Sequence, residues 1–547
     1  QMFHDAEFLA AWAALAGGDT QRELINQGWK LILLNQFHDI LPGSSIPEVY
    51  QDARQQFAEI MRIGRQVRDQ ALATLTAGSA ANLLAINTLG WQRSDPLFVP
   101  QTIAENLDET ALAVQPVENL DGERGLLVAG FGAAGYGLND LAHVDSSSQS
   151  APLTITTETL ENQFFRIDLD SSGEIGAIYD KRYDRDVLEP GQRANQLIAF
   201  EDRPLNYDAW DIDIFYAEKP YPIQDVQSIT VVESGPIRGG VEITRRFLKS
   251  TIRQRILIYS DLPRIDFATE IDWHEHQILL KAGFPVAINA TRATYEIQFG
   301  AVERPTHRNT SWDVARFETC AHRWIDLSEA GYGVALLNDS KYGHDLHHNV
   351  MRITLLKSGV NPDPNADQGI QRFTYALLPH AGDWREGEVV RRAAELNIPL
   401  IAYRPQPSSE SRPSQQSTAF VHCDAAHVML DTIKTAEDGD GVIVRVYEAH
   451  NQRGPVTLTF AQPIRDVEEC NLLEEPRTKN LEPGGEQKNK GTSEQRNNEV
   501  PTSPSPTAVG EGGRGVRAID DLSITSDTLR FAIRPFEIRS FRVRFAV

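Results

Sequence analysis

The chain reads as an α+β multidomain protein: an N-terminal helical hairpin or three-helix bundle over residues 1–79, then large antiparallel β-sandwich domains over 80–400 and 401–547. Three observations predict this. Up to about Ala77 the apolar residues recur at three- and four-residue steps, the period of a helix with one buried face. Beyond about Ala80 the step falls to two, the period of a half-buried strand. A chain of 547 residues with 41% apolar content can also bury several separate cores.

The first helix carries Phe3, Phe8, Leu9, Trp12 and Leu15 as an apolar stripe within a few residues of the terminus. Such a stripe needs a cover, supplied either by the hairpin that follows or by a domain upstream. A second helix is expected from about Gln21 through Leu24, Ile25, Trp29, Ile32, Leu33 and Phe37. Pro42 should end it, with Gly43 taking the left-handed turn. Ser45-Ile-Pro-Glu48 has the form of a capping box for a third helix, Pro47 to Ala77. His38 and Asp39 then lie at the closed end of a helical hairpin.

That pair admits two readings. A histidine at a helix C-terminus with an aspartate facing the loop is ordinary helix-end chemistry. Alternatively, a neutral imidazole is a metal ligand, and a neighbouring carboxylate orients it or accepts hydrogen bonds from a hydroxyl-rich substrate. Adjacent helical residues point about 100° apart, which argues against both side chains gripping one ion from regular helix geometry.

The strand-like region is clearest at Arg264–Trp273, where Ile265, Phe267, Thr269, Ile271 and Trp273 share one face. Val241–Phe247 and Ile252–Ile258 alternate similarly, and the three runs predict an antiparallel meander. Residues from about 482 to 515 are rich in Gly, Pro, Ser, Asn and charge, which predicts a disordered insertion. The alternating runs at Ser523-Ile-Thr, Leu529–Arg534 and Phe541–Phe545 should complete the last β domain.

A net charge of −23, with 76 acidic against 53 basic residues, argues against a nucleic-acid partner. No apolar run approaches the length of a membrane span. Cys320, Cys423 and Cys470 are odd in number and far apart, which does not build a disulfide framework and favours reducing surroundings. Three sequons, at Asn289, Asn309 and Asn338, would matter only in a secreted protein.

Other clusters divide between dull and functional readings. His274 and His276 share a strand face, but no third ligand is placed by the local sequence. His344, His347 and His348 read as solvated loop histidines. Asp208-Ala-Trp210-Asp211-Ile-Asp213 sets carboxylates around an indole, and sugars bind through such apolar faces and hydroxyl acceptors, so Trp210 and Asp211 are candidate substrate contacts. Glu448 and Glu537 are read as structural.

The string Leu33-Leu-Asn-Gln-Phe-His38-Asp39-Ile-Leu-Pro-Gly-Ser-Ser-Ile46 closely resembles the helix-hairpin signature of glycoside hydrolase family 38, the retaining α-mannosidases. Asn87-Thr-Leu-Gly-Trp91, Asp180-Lys181, Asp208–Asp213, Ile271–Glu275 and Phe284-Pro-Val286 look like the same family in the same order. Arg304–Asp313, Ala321–Glu329 and Leu337–Gly343 are most similar to its cytosolic and vacuolar branch. Asp367-Gln-Gly369, Phe373–His380, Arg445–Glu448 and Arg534–Ile538 carry the resemblance to the C-terminus.

The resemblance implies a C-terminal portion beginning inside the helical domain, with nucleophile, acid/base and remaining metal ligands on an upstream α/β barrel. It implies His38 as a metal ligand and Asp39 as a substrate contact, with Lys341 and Tyr342 near the rim of the sugar pocket. It favours an upstream domain as the cover for the first helix. The expected cofactor is one divalent metal, zinc or cobalt, since mixed nitrogen and oxygen ligands suit either. Expected partners are a mannose-containing oligosaccharide, the N-terminal domain of its own chain and a second copy in a homo-oligomer, with no membrane, in the cytoplasm. The fragment alone is expected to be inactive. Rival readings are a non-catalytic carbohydrate-binding or scaffolding β protein, and a hydrolase of small mannosylglycerate-type substrates.

Overall fold

The computed structural model describes residues 1–104, 112–143, 151–406, 417–477 and 522–546. The expected disordered insertion, about 482–515, lies outside the described residues. Three helices, α1 (Met2–Leu15), α2 (Arg22–Asn35) and α3 (Pro47–Leu75), are followed by a series of antiparallel sheets, as the change of period predicts.

α1 is buried on nearly every side. One face, with Phe3, Ala6 and Ala10, packs on Ile25 of α2 and Ile60, Ile63 and Val67 of α3. Two mid-helix glycines make room: a Cβ on Gly28 would lie 1.8 Å from the Phe3 ring, and one on Gly64 would lie 2.4 Å from Met2. The other face, with Phe8, Leu9 and Trp12, enters the core of the C-terminal β domain beside Phe420, Val428 and Leu430. The apolar stripe is therefore covered by this chain's own α3 and C-terminal sandwich, not by an upstream domain. Periodicity marks the stripe, but the cover of its Phe8–Trp12 flank lies some 400 residues away in the chain.

α2 stops at Asn35, short of the expected end at Pro42. The Asn35 amide donates to Leu31 O at 2.8 Å and to Gln56 of α3 at 2.7 Å, so a side chain competes with the helical ladder. The chain continues in tighter turns through Phe37–Leu41, and Gly43 takes the expected left-handed conformation at φ 82°. The Ser45–Glu48 capping box does not form. Ile46 is the N-cap of α3, with Pro47 opening the helix, and no side chain caps it.

Residues from 84 onward do not begin the large sandwich, as the boundary at 80 implied. Leu84–Asn87 and Gly137–Asp140 form a four-stranded sheet with Ile401–Tyr403 and Ser417–Ala419. The expected boundary at 400/401 thus runs through a sheet closed by strands distant in sequence. A three-stranded sheet (Leu97–Pro100, Arg124–Ala129, Ala113–Glu118) accompanies it.

The large sandwich pairs a nine-stranded sheet with six- and five-stranded sheets around one core. The meander is present: Arg238–Phe247, Ser250–Tyr259 and Ile265–Trp273 are successive antiparallel neighbours. Alternation places Phe267, Ile271 and Trp273 inside, with Trp273 stacked on Phe247 at 5.7 Å. The last domain is two four-stranded sheets, which Thr528–Ile533 and Ile538–Phe545 complete as expected.

One histidine reading fails. His344 is fully buried in the strand Gly343–His347, between Thr319 and Ile353, not solvated in a loop. Its Nδ1 lies 3.0 Å from Tyr342 O. By contrast Glu448 is structural as expected, accepting from the amides of His450 and Phe536 across a chain reversal. Glu537 accepts from the Arg534 amide in a local turn.

Candidate active site

The early end of α2 changes the geometry of the His–Asp pair. Both residues sit in turns, so the divergence imposed by a regular helix is lost. His38 Nε2 lies 3.5 Å from Asp39 Oδ2, with the imidazole side chain 69% and the carboxylate 40% exposed. Tyr50, in the first turn of α3, staples the bend: its hydroxyl accepts from the Ser45 amide at 2.8 Å and donates to Asp39 O at 3.3 Å. Ser44 Oγ lies 3.4 Å from Asp39 Oδ1.

A second segment meets this turn from the large sandwich. The His38 and Trp210 rings lie 6.3 Å apart, edge to face, while Phe37 flanks His38 at 4.4 Å. Trp210 is presented by a tight turn in which the amides of Trp210 and Asp211 both donate to Tyr207 O, at 2.7 and 2.9 Å. Asp208 and Asp213 turn inward as backbone acceptors: Asp208 Oδ2 takes the amides of Val360 and Asn361, and Asp213 takes that of Leu205. Of the motif's carboxylates, these two are structural. Trp210 remains open, at 57% exposure, and Asp211 stands beside it on the exposed turn.

A third segment, 357–367, closes the group. Burial raises the Tyr50 hydroxyl's pKa, the Ser45 amide opposes the rise, and the charges of Asp363 and Asp367 add to it, so that acidic loop flanks the hairpin. Lys357, with Asp202, ties the loop to the Trp210 turn. Tyr50, Lys357 and Asp202 escape a sequence reading. The only signal was an isolated lysine closing an apolar alternating run, Val350–Lys357.

Behind the next turn, Ile214–Glu218, a fully buried Lys281 bridges Asp345 at 2.9 Å and also reaches Glu318; Arg352 pairs with Asp345 at 2.8 Å. Tyr216 packs over this charge cluster, its hydroxyl 3.4 Å from Asp345. Lys341 is not an open rim cation: its ammonium lies over the Phe373 ring at 4.3 Å, and burial lowers its pKa. Tyr342 is half exposed against His322. His274 pairs with Asp272 at 3.0 Å on the surface.

Among the described residues no group of three or more His, Cys, Asp or Glu side chains is placed to hold a metal ion. His38 can offer one imidazole nitrogen, unobstructed and with a carboxylate beside it. That donor fits zinc or cobalt chemistry, but it does not complete a coordination shell. No described helix is long and apolar enough to cross a membrane, and Cys320, Cys423 and Cys470 are all free.

Around this turn the surface is unusually apolar. Leu33, Leu34, Phe37, Leu41, Ile46 and Phe57 on the hairpin are each at least half exposed, as are Leu205, Tyr207 and Phe215 near Trp210.

Fold and site together define a class: a helical hairpin set on tandem β-sandwiches, with a histidine–aspartate turn facing a tryptophan-bearing turn. A solved alpha-mannosidase from Enterococcus faecalis has this fold, with a TM-score of 0.73 and 16% identity over 99% of this chain and 66% of that one. The chain belongs to glycoside hydrolase family 38. Residues 1–75 match the alpha mannosidase middle domain, 160–365 the family 38 C-terminal domain and 427–541 the family 38 C-terminal beta sandwich domain. The human relative alpha-mannosidase 2C1 is 33% identical over 87% of this chain and 45% of its own length. Alpha-mannosidase G of Dictyostelium discoideum is 32% identical over 86% and 47%, and the alpha-mannosidase of Saccharomyces cerevisiae 30% identical over 86% and 42%. The chain spans about half the length of the curated relatives it matches.

Proposed function

We propose that this chain forms one wall of a metal-dependent, retaining α-mannosidase that removes terminal α-mannosyl residues from oligosaccharides in the cytoplasm. The observation that carries the reading is the meeting of the His38–Asp39 turn with Trp210 on an exposed edge, in a chain whose relatives are named alpha-mannosidases. His38 donates a ring nitrogen to the ion. Asp39 accepts hydrogen bonds from sugar hydroxyls, and the Trp210 ring packs against an apolar sugar face, with Asp211 beside it. A divalent ion, zinc or cobalt, supplies polarisation of sugar hydroxyls when bound. The carboxylate nucleophile and the acid/base of a retaining glycosidase come from another part of the protein, as do the remaining metal donors.

The apolar surface around the His38 turn supports that division of labour. Clustered exposed apolar side chains on a protein surface mark sites where a protein, a membrane or a ligand docks. We assign this one to the part of the protein that carries the nucleophile.

The full-length protein should hydrolyse an α-mannoside with retention of anomeric configuration, followed by NMR of the first-released sugar, and the present chain alone should not. Release of the inverted anomer, or turnover by this chain unaided, would refute the assignment.

A further inference from the structure

We propose that Lys357 is a positioning residue: it straps the Asp208–Asp213 turn so that Trp210 meets His38. The inference rests on the function proposed above, and deepens it by naming what holds the sugar-facing wall in place.

The strand Val350–Lys357 belongs to the six-stranded sheet and ends beside the site. The Lys357 ammonium donates to Asp202 Oδ2 at 2.5 Å and to Asp208 O at 2.7 Å. Its backbone amide donates to Asp367 Oδ2 at 3.1 Å. Asp208 answers from the other direction, its Oδ2 accepting the amides of Val360 at 2.6 Å and Asn361 at 3.0 Å. The turn and the 357–361 segment are therefore cross-strapped, side chain to main chain in both directions. Two residues later the turn delivers Trp210.

Charge makes the lysine hard to replace. Asp202 is 1% exposed and Lys357 is its only salt-bridge partner among the described residues. Burial raises the Asp202 pKa and Lys357 opposes that rise. Asp202 Oδ1 is buried with no hydrogen-bond partner among the described residues, so the ammonium on Oδ2 carries most of the compensation for that carboxylate. An apolar residue at 357 would strand a buried carboxylate and release the Asp208 carbonyl together. Tyr207 is held at φ 53°, a left-handed conformation that a non-glycine residue keeps only where its surroundings impose it, so the turn has strain to release once the strap is cut.

Lys357→Met alone risks unfolding through the stranded Asp202, so the working variant pairs it with Asp202→Asn, and Lys357→Arg tests for rescue. Hydrogen exchange on this chain should quicken about tenfold at the amides of Trp210, Asp211, Val360 and Asn361 in the double variant. The strand Ile265–Trp273 should be unchanged, and Lys357→Arg should restore protection. In the full-length protein the double variant should raise KM for an α-mannoside more than it lowers kcat. Unchanged protection at those four amides, equal loss of protection everywhere, or faster local exchange with unaltered KM would each overturn the proposal. If the unaltered full-length protein had no mannosidase activity, the proposed function would fail, and the exchange data alone would decide the strap.

Discussion

At the scale of single residues, the site depends on small departures from regular structure. Asn35 ends α2 early, and that frees His38 and Asp39 from the 100° divergence of neighbouring helical residues. Tyr50 then holds the bend through its hydroxyl. Such side-chain decisions are invisible to periodicity, which is why the motif could be read but its geometry could not. His344 shows the same limit. Burial drives its pKa from 6.5 down to about 4, so the folded state prefers the neutral ring. Stability from this residue is complete above pH 6.5 and is lost as pH falls toward about 4, a contribution on the order of 3 kcal/mol. Urea midpoints measured between pH 7 and pH 4.5 should fall less steeply for His344→Gln than for the unaltered chain. Parallel slopes would show that His344 does not set this dependence.

At the scale of elements, patterns that encode both faces of a segment were legible. The meander through Ile265–Trp273 alternates so regularly that strand, face and neighbours all followed. α3 followed equally well from its period and from Pro47. α1 was harder, because a helix buried on two sides gives a stripe without saying what covers each flank. Its Phe8–Trp12 flank locks the helical bundle to the C-terminal sandwich through Phe420, at ring separations of 5.9 and 5.8 Å. Trp12→Ala should therefore cost about 3 kcal/mol or more, by loss of buried area and creation of a cavity. Differential scanning calorimetry should show the helical bundle and the C-terminal sandwich destabilised together. A bundle that loosened while the sandwich melted unchanged would mean that the two are not one cooperative unit.

At the scale of the whole molecule, three segments far apart in the chain converge on one edge: the hairpin turn near His38, the turn near Trp210 and the loop after Lys357. The family motifs flagged the first two and, in Asp367-Gln-Gly369, the far end of the third; only the fold shows that Lys357 ties that loop to the Trp210 turn. The fold class was legible because composition and period change sharply near residue 80. The sheet joining Leu84–Asn87 to Ile401–Tyr403 was not, since nothing local marks a pairing across some 300 residues. The charge cluster around Lys281 likewise joins strands that only the assembled sheet makes neighbours. The central claim is that His38 completes a metal centre whose other ligands lie elsewhere in the protein. Metal content of the full-length protein, measured by plasma mass spectrometry beside mannosidase activity, tests it most directly. His38→Ala should lose bound metal and activity together, while Asp39→Asn keeps the metal and loses turnover; stoichiometric metal retained in His38→Ala would contradict the account.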